Sequence, residues 1–253
     1  MGVLRDVRIV FARYFSRSVT SPLLVGVSLI QPILYLLLFA PLLTSVSSLS
    51  RVAHEGSYQW FVPGLMIQIA LFSISSGGWS LISELRSGVL ERMWVTPVSR
   101  VGLLLGRILR DAATLLVQAL IIVAVALPLG LTAKLPGLLL AFVLVALLAF
   151  LMGAVSYAGA LRIRSEDTFG ALVFSATLPL LLLSGILLPI RFAPAWLQRL
   201  ADLNPLLYAV GAERALFDGN VATLAVAKGF VIIAGLAMLA VGLAVREFRH
   251  AMI

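Results

Sequence analysis

Six stretches of the chain carry no Asp, Glu, Lys or Arg: Pro22–Ser50, Gly56–Ser83, Ala112–Ala133, Leu135–Leu161, Thr168–Ile190 and Gly229–Val245. A charge at the centre of a membrane-spanning helix costs about 2.5–3.5 kcal/mol, and about 20 residues cross the hydrocarbon core. The pattern therefore predicts six spanning helices. The last run is short, but it extends through Val221–Ala227, and Lys228 can reach the interface along its own aliphatic stem. Lys134 alone separates the third and fourth runs, which leaves room for only a tight turn. Pro32, Pro41, Pro63, Pro128 and Pro179 fall inside these runs, where proline kinks or breaks a helix.

Three segments outside the runs have patterns of their own. Residues 1–20 read as an amphipathic helix. Val3, Val7, Val10, Phe11 and Tyr14 share one face, with Arg5, Arg8 and Arg13 mostly elsewhere. Such a helix lies on a membrane surface, held by apolar burial and anionic lipid, or serves as a topology signal alone. The second segment, Glu84 to Arg100, reads ELRSGVLERMWVTPVSR. Glu84, Arg86, Glu91 and Arg92 alternate in sign, while Leu85, Val89, Leu90, Met93 and Trp94 recur at helical spacing. Pro97 pushes Thr96 out of the helical region, so a helix over 84–97 should stop there. A merely solvated loop has no use for Met93 and Trp94, which points to a docking element.

The third segment, 191–222, is too long for a turn and too polar to span. Pro194 can open one short helix with Trp196, Leu197 and Leu200. Asn204-Pro205 reads as an N-cap followed by proline at the first helical position. The second helix should run to about Phe217, with Gly219 in the place of a C-terminal glycine. Two short helices on one side of a membrane read as a re-entrant hairpin or as an interfacial one.

Composition agrees with the pattern. Of 253 residues, 61% are hydrophobic and 12% charged, about half the charge of a soluble domain. A net charge of +8 on so few charged residues points to a membrane rather than to nucleic acid. With the amino terminus inside, thirteen Lys/Arg fall in inner segments and six in outer ones. That asymmetry places both termini in the cytoplasm. The expected class is an all-α polytopic membrane protein, a single domain over residues 1–253.

Candidate chemistry is sparse. No G-x-x-x-x-G-K-[ST] is present, so the chain has no P-loop. There is no Cys, and His54 and His250 stand apart from any metal or catalytic partner, so no metal site and no catalytic residue is expected. The span centres hold no ionisable group of the kind that ion-coupled transporters and intramembrane aspartyl proteases need. What remains is neutral: Gln68, Phe72, Ser75, Ser76 and Trp79 recur along the second span. Arg107, Asp111, Thr114 and Gln118 recur at the start of the third. Both stripes read as glue between helices or as the lining of a path for a large amphiphile.

Taken together, these pieces resemble the permease subunits of ABC-type exporters of the ABC-2 class, in particular the bacterial drug and polyketide efflux branch. The resemblance covers nearly the whole chain. It is sharpest at Gly88–Pro97, with its G-x-x-E-x-x-x-x-T-P pattern, and at Ser184–Ala215, with Pro189, Pro194, Trp196, Asn204-Pro205 and Tyr208. It implies that the 84–97 helix couples to a separate nucleotide-binding ATPase, with Glu84, Arg86, Glu91, Arg92, Thr96 and Pro97 as the coupling residues. It also implies two facing permease copies, identical or paralogous, with the path between their second and fifth spans. Gln68, Phe72, Ser75 and Trp79 would then lie near the path, and Leu183, Ile186 and Leu187 at its outer end. No cofactor is expected in this chain, since ATP and Mg would be bound by the partner. The implied role is export of a hydrophobic or amphiphilic compound across a bacterial plasma membrane. The competing reading is a scaffold that docks another cytoplasmic partner through residues 84–100.

Overall fold

The computed structural model describes residues 3–19, 26, 29–38, 57–88, 99–187 and 189–250. These residues form helices and connecting turns, with no strand among them. In chain order the helices are α1 (Val3–Val19), α2 (Leu29–Leu38), α3 (Ser57–Arg86), α4 (Arg100–Ala126), α5 (Leu135–Ile163), α6 (Glu166–Leu182), α7 (Ala195–Ala201), α8 (Pro205–Phe217) and α9 (Leu224–His250). Four of the described helices are long and apolar enough to cross a membrane: Tyr58–Arg86, Val101–Leu129, Leu135–Ile163 and Leu224–Phe248. α6 has 17 residues. Of the first predicted span, α2 and Gly26 are described and the remainder lies outside the described residues.

α5 sits at the centre of the bundle, touching α3, α4, α6, α8 and α9. It is apolar all round, with one side packed on these neighbours and the other, including Leu139 and Val143, left open. Small residues bring its neighbours close. A Cβ on Gly137 would fall 2.0 Å from the Leu216 carbonyl oxygen, so the end of α8 rests directly on the first turn of α5. Gly78 of α3 does the same for α6, because a Cβ there would fall 2.1 Å from the Phe169 ring. α1 lies along the start of α4, where Gly102 and Gly106 face Asp6 and Val10.

Two predicted spans shift. The third, expected over Ala112–Ala133, runs instead from Arg100 to Ala126 and takes in Arg107, Arg110 and Asp111. These charges are tolerated there because each meets an opposite charge or an aromatic hydroxyl. Pro128 stands beyond the end of α4, in a 3-10 turn over Leu127–Leu129. The fifth, expected over Thr168–Ile190, stops at Leu182. Side chains take over the carbonyls of its last turn: Ser184 Oγ donates to Leu181 O at 2.6 Å, and Asn204 Nδ2 donates to Leu180 O at 2.8 Å. Gly185, at φ +74°, then reverses the chain in a conformation that other residues rarely adopt. Pro63 and Pro179 lie within continuous helices and do not break them.

The hairpin of short helices forms where expected. α7 follows Pro194, and α8 runs from Pro205 to Phe217, with Gly219 at φ +79° just past its end. The helix expected over 84–97 begins differently. α3 continues through Arg86, so Glu84 and Arg86 belong to its last turn. Glu84 is held there by partners on α1 and α4. Residues 89–98 lie outside the described residues.

Candidate coupling site and transport path

At the foot of α3, three helices meet around one buried arginine. Arg107 of α4 is 2% exposed, and its guanidinium ion-pairs with the carboxylate of Glu84. The Tyr14 hydroxyl of α1 accepts a hydrogen bond from Arg107 at 2.7 Å and donates one to Glu84 at 3.0 Å. The Arg107 guanidinium also lies 4.8 Å from the centre of the Tyr14 ring, in cation–π geometry. Burial pushes the Tyr14 phenol up from its ordinary value, so it keeps the proton it donates. A buried charge survives only with such partners, and removing one leaves the other stranded.

About two turns earlier, α1 is tied to the start of α4 a second time. The Ser99 N–H donates to the Asp6 carboxylate at 2.9 Å, and Ser99 Oγ caps α4 by accepting from the Gly102 N–H at 3.1 Å. The hydrogen bond from the Ser99 N–H holds the Asp6 carboxyl below the usual carboxylate range. Ser99 directly follows the segment expected to couple, so displacement of residues 89–98 would pull on α1 as well as on α4.

Arg86 points another way. It pairs with Glu166 at the start of α6 at 3.6 Å, an exposed contact of modest strength. Trp79, two turns earlier on the same face, donates its indole N–H to the Glu166 carbonyl at 3.3 Å and lies across Gly170. The last two turns of α3 thus contact α1, α4 and α6 together. Glu91, Arg92, Thr96 and Pro97 lie outside the described residues.

The expected path residues divide into two groups. Phe72 and Trp79 share the exposed stripe of α3 with Ser76 and Ser83, and Ser75 stands half-buried beside it. Gln68 is 1% exposed, packed inside the protomer, and its side-chain oxygen lacks a donor among the described residues. Ile186 is fully buried against Gly64, while Leu183 and Leu187 are half-buried on the same turn. The structure therefore groups Phe72 and Trp79 on an open face and keeps Gln68 and Ile186 within the packing of one chain.

At the opposite end, side chains bind main-chain atoms. Arg214 of α8 lies 3.7 Å from the Trp60 ring centre and donates to the Trp60 carbonyl at 3.2 Å and the Gly185 carbonyl at 2.9 Å. Asn204 caps α8 by accepting from Leu206 N–H at 3.0 Å. Gln59 links three elements. It donates to the Phe217 carbonyl at 2.8 Å and accepts from the Thr132 N–H at 3.2 Å. Tyr14, Arg107, Glu166, Arg214 and Gln59 were not among the expected site residues. Charge inside the otherwise apolar α4 and at the start of α6 signals Arg107 and Glu166, whereas no local pattern signals Tyr14, Gln59 or Arg214.

The sequence matches the family described as ABC-2 type transporter over residues 5–217. It is 27% identical over 219 residues to a ycf38 protein of Cyanophora paradoxa, named as a transport permease, covering 85% of this chain and 75% of that protein. It is 25% identical over 223 residues to the daunorubicin resistance ABC transporter permease protein DrrB1 of Streptomyces coeruleorubidus, covering 87% and 78%. A doxorubicin resistance ABC transporter permease named DrrC, from Mycobacterium tuberculosis, is 25% identical over 196 residues, covering 76% and 70%.

Proposed function

Because the chain belongs to the ABC-2 type transporter family, a family of membrane transport subunits rather than enzymes, we propose that it is the permease of an ATP-driven exporter. Permeases of this family work with a nucleotide-binding ATPase. In this reading the ATPase is a separate chain that holds ATP and Mg and docks on residues 84–97. Both termini face the cytoplasm of a bacterial plasma membrane, and the span containing α2 together with α6 brings the number of crossings to six. A second permease copy, identical or paralogous, covers the open face of α3 and α6. The path runs between the two copies past Phe72 and Trp79. The cargo is a hydrophobic or amphiphilic compound, as the names of the resistance permeases suggest for those proteins.

The observation that carries this reading is the fan of contacts at the foot of α3. A pull on residues 84–97 reaches α4 and α1 through Glu84, Arg107 and Tyr14, and α6 through Arg86 and Glu166. One applied force thus moves four helices, and α3 and α6 are the two that border the proposed path. The test is to co-purify the chain with a candidate nucleotide-binding ATPase from the same source, and to follow ATP-driven efflux from vesicles. Reversing the charges at Glu91→Arg with Arg92→Glu should abolish efflux. Intact efflux in that variant, with the complex still assembled, would refute the coupling assignment. A complex that never hydrolyses ATP would favour the scaffold reading.

A further inference from the structure

At the α8 end, the start of α3, the turn between α4 and α5 and the end of α8 enclose an open cavity of about 330 Å³. It is lined by Gln59, Thr132, Ala133, Lys134, Phe217 and Asp218. Gln59 frames the cavity and has nothing left to offer it. Its Nε2 donates to the Phe217 carbonyl at 2.8 Å and to Asp218 Oδ1 at 3.3 Å. Its Oε1 accepts from the Thr132 N–H at 3.2 Å and from the Thr132 hydroxyl at 3.4 Å. Those bonds exhaust the two donors and two lone pairs of an amide. The Thr132 proton is spent in the same way, so its hydroxyl offers the cavity lone pairs alone.

Two charges remain. Lys134 and Asp218 are both exposed, line the same cavity, and form no ion pair among the described residues, with each other or with a third group. Lys134 is placed by its stem. A Cβ on Gly219 would fall 2.6 Å from Lys134 Cδ, so the stem lies directly over that glycine. The helix ends follow the same division of charge. Lys134 precedes the first turn of α5, which no side chain caps among the described residues, and Asp218 closes α8. A helix is positive at its start and negative at its end. One wall of the cavity is therefore positive and the other negative, and the two cancel.

An apolar stripe begins at the cavity's edge. Leu135, Leu139 and Val143 are exposed at i, i+4 and i+8 on α5, one row leading from Lys134 toward mid-span. From Lys134 to Val143 that row is about 13 Å long, enough for much of an acyl chain.

We propose that this cavity binds one phosphatidylethanolamine molecule, with its phosphate on Lys134, its primary ammonium on Asp218 and one acyl chain along Leu135, Leu139 and Val143. A zwitterionic head answers both walls at once. A primary ammonium donates hydrogen bonds to the Asp218 carboxylate and to the Thr132 lone pairs, which the quaternary ammonium of phosphatidylcholine cannot do. An anionic phospholipid answers Lys134 alone and sets its charge against Asp218. None of the expected path residues lines the cavity, so its occupant is a resident lipid rather than cargo, and the site does not depend on the export reading.

The test gives the full chain, purified in dodecyl maltoside, phosphatidylethanolamine, phosphatidylcholine and phosphatidylglycerol with identical dioleoyl chains. The lipid retained is counted by native mass spectrometry. One phosphatidylethanolamine per chain should be kept, about ten-fold more tightly than either of the others. Lys134→Gln should weaken all three lipids alike, by about ten-fold. Asp218→Asn, which keeps an acceptor for Gln59, should instead weaken phosphatidylethanolamine about ten-fold and strengthen phosphatidylglycerol. Equal retention of phosphatidylethanolamine and phosphatidylcholine, or a preference for phosphatidylglycerol, overturns the proposal. Both comparisons are made on the unaltered chain and stand even if a variant fails to fold. Undiminished phosphatidylethanolamine binding in both variants overturns it as well. So does displacement of the lipid by equimolar glycerophosphoethanolamine, which would show that the site takes a free head and that the stripe plays no part.

Discussion

Arg107 and Arg214 both lodge against an aromatic ring, at opposite ends of the bundle, and they hold the chain in different ways. Arg107 is almost fully buried over Tyr14 and answers to a carboxylate, Glu84. Arg214 is half-buried over Trp60 and answers to main-chain carbonyls of α3 and of the turn after α6. A carbonyl is present whatever residue supplies it, so the α8 end is fastened at fixed points. A carboxylate can be lost, neutralised or drawn to another cation, so the α1 end is fastened by something a partner's charges can undo. Gln59 and Asn204 extend the first kind of fastening, and Arg86 with Glu166 the second.

The difference can be broken most severely at Glu84. Glu84→Gln leaves Arg107 buried without its counter-charge and should cost about 3–5 kcal/mol, read as a large fall in melting temperature in lipid nanodiscs. The double variant Glu84→Leu with Arg107→Met should recover most of that loss, since an apolar pair of similar volume replaces the ionic one. A double variant as unstable as the single one would mean that the ion pair is not what holds α3 to α4.

A smaller effect, of opposite sign, is expected at Glu213. This carboxyl of α8 is completely buried, and neither oxygen has a hydrogen-bond partner among the described residues. Glu213→Leu removes the cost of burying it and should raise stability by about 1–3 kcal/mol in the same melting assay. A loss of stability would show that the carboxyl has a partner in the assembled transporter.

Asn204→Ala comes next. It removes the cap of α8, worth about 1 kcal/mol, and the bond to Leu180, worth about as much again. Protease should then cut between α6 and α8 faster, while the α1 end keeps its protection.

The mildest prediction concerns pH. The hydrogen bond from Ser99 lowers the Asp6 carboxyl below its ordinary value of about 3.9, so its contribution is complete above that value and is lost as pH falls through the lower, folded value. Asp6→Asn should therefore flatten the acid side of the stability curve below about pH 4 and leave the curve near pH 7 with the same slope. Unchanged acid sensitivity would remove Asp6 from the α1 clasp.

How far these regions could be read in advance differs in the same way. Asn204-Pro205, Pro194 and Gly219 are local signals, and α7 and α8 begin and end where they direct. The third span begins about three turns before its predicted start, because absence of charge marks a span only while charges stay unpaired. Arg107 and Asp111 find partners on α1, α3 and α5, far away in the chain, while Arg110 pairs with its neighbour Asp111. Glu84 reads in the sequence as one charge of a docking element, yet its partners stand on α1 and α4, and Gln68 reads as part of a polar stripe although it is buried within the protomer.

By itself, the sequence determined that this is an all-helical membrane protein, where most helices run, how the hairpin near the carboxy end is capped, and which family the chain belongs to. Those properties follow from hydropathy and from bonds between residues a few positions apart. Only the tertiary structure decided that Glu84 faces Arg107 and Tyr14, that Arg86 reaches α6, and that Gln59 ties α3 to the end of α8. Pairings across 70 or more positions depend on how apolar helices stack, and in the non-directional packing of such helices the position of a single glycine, such as Gly78 or Gly106, settles which polar groups meet.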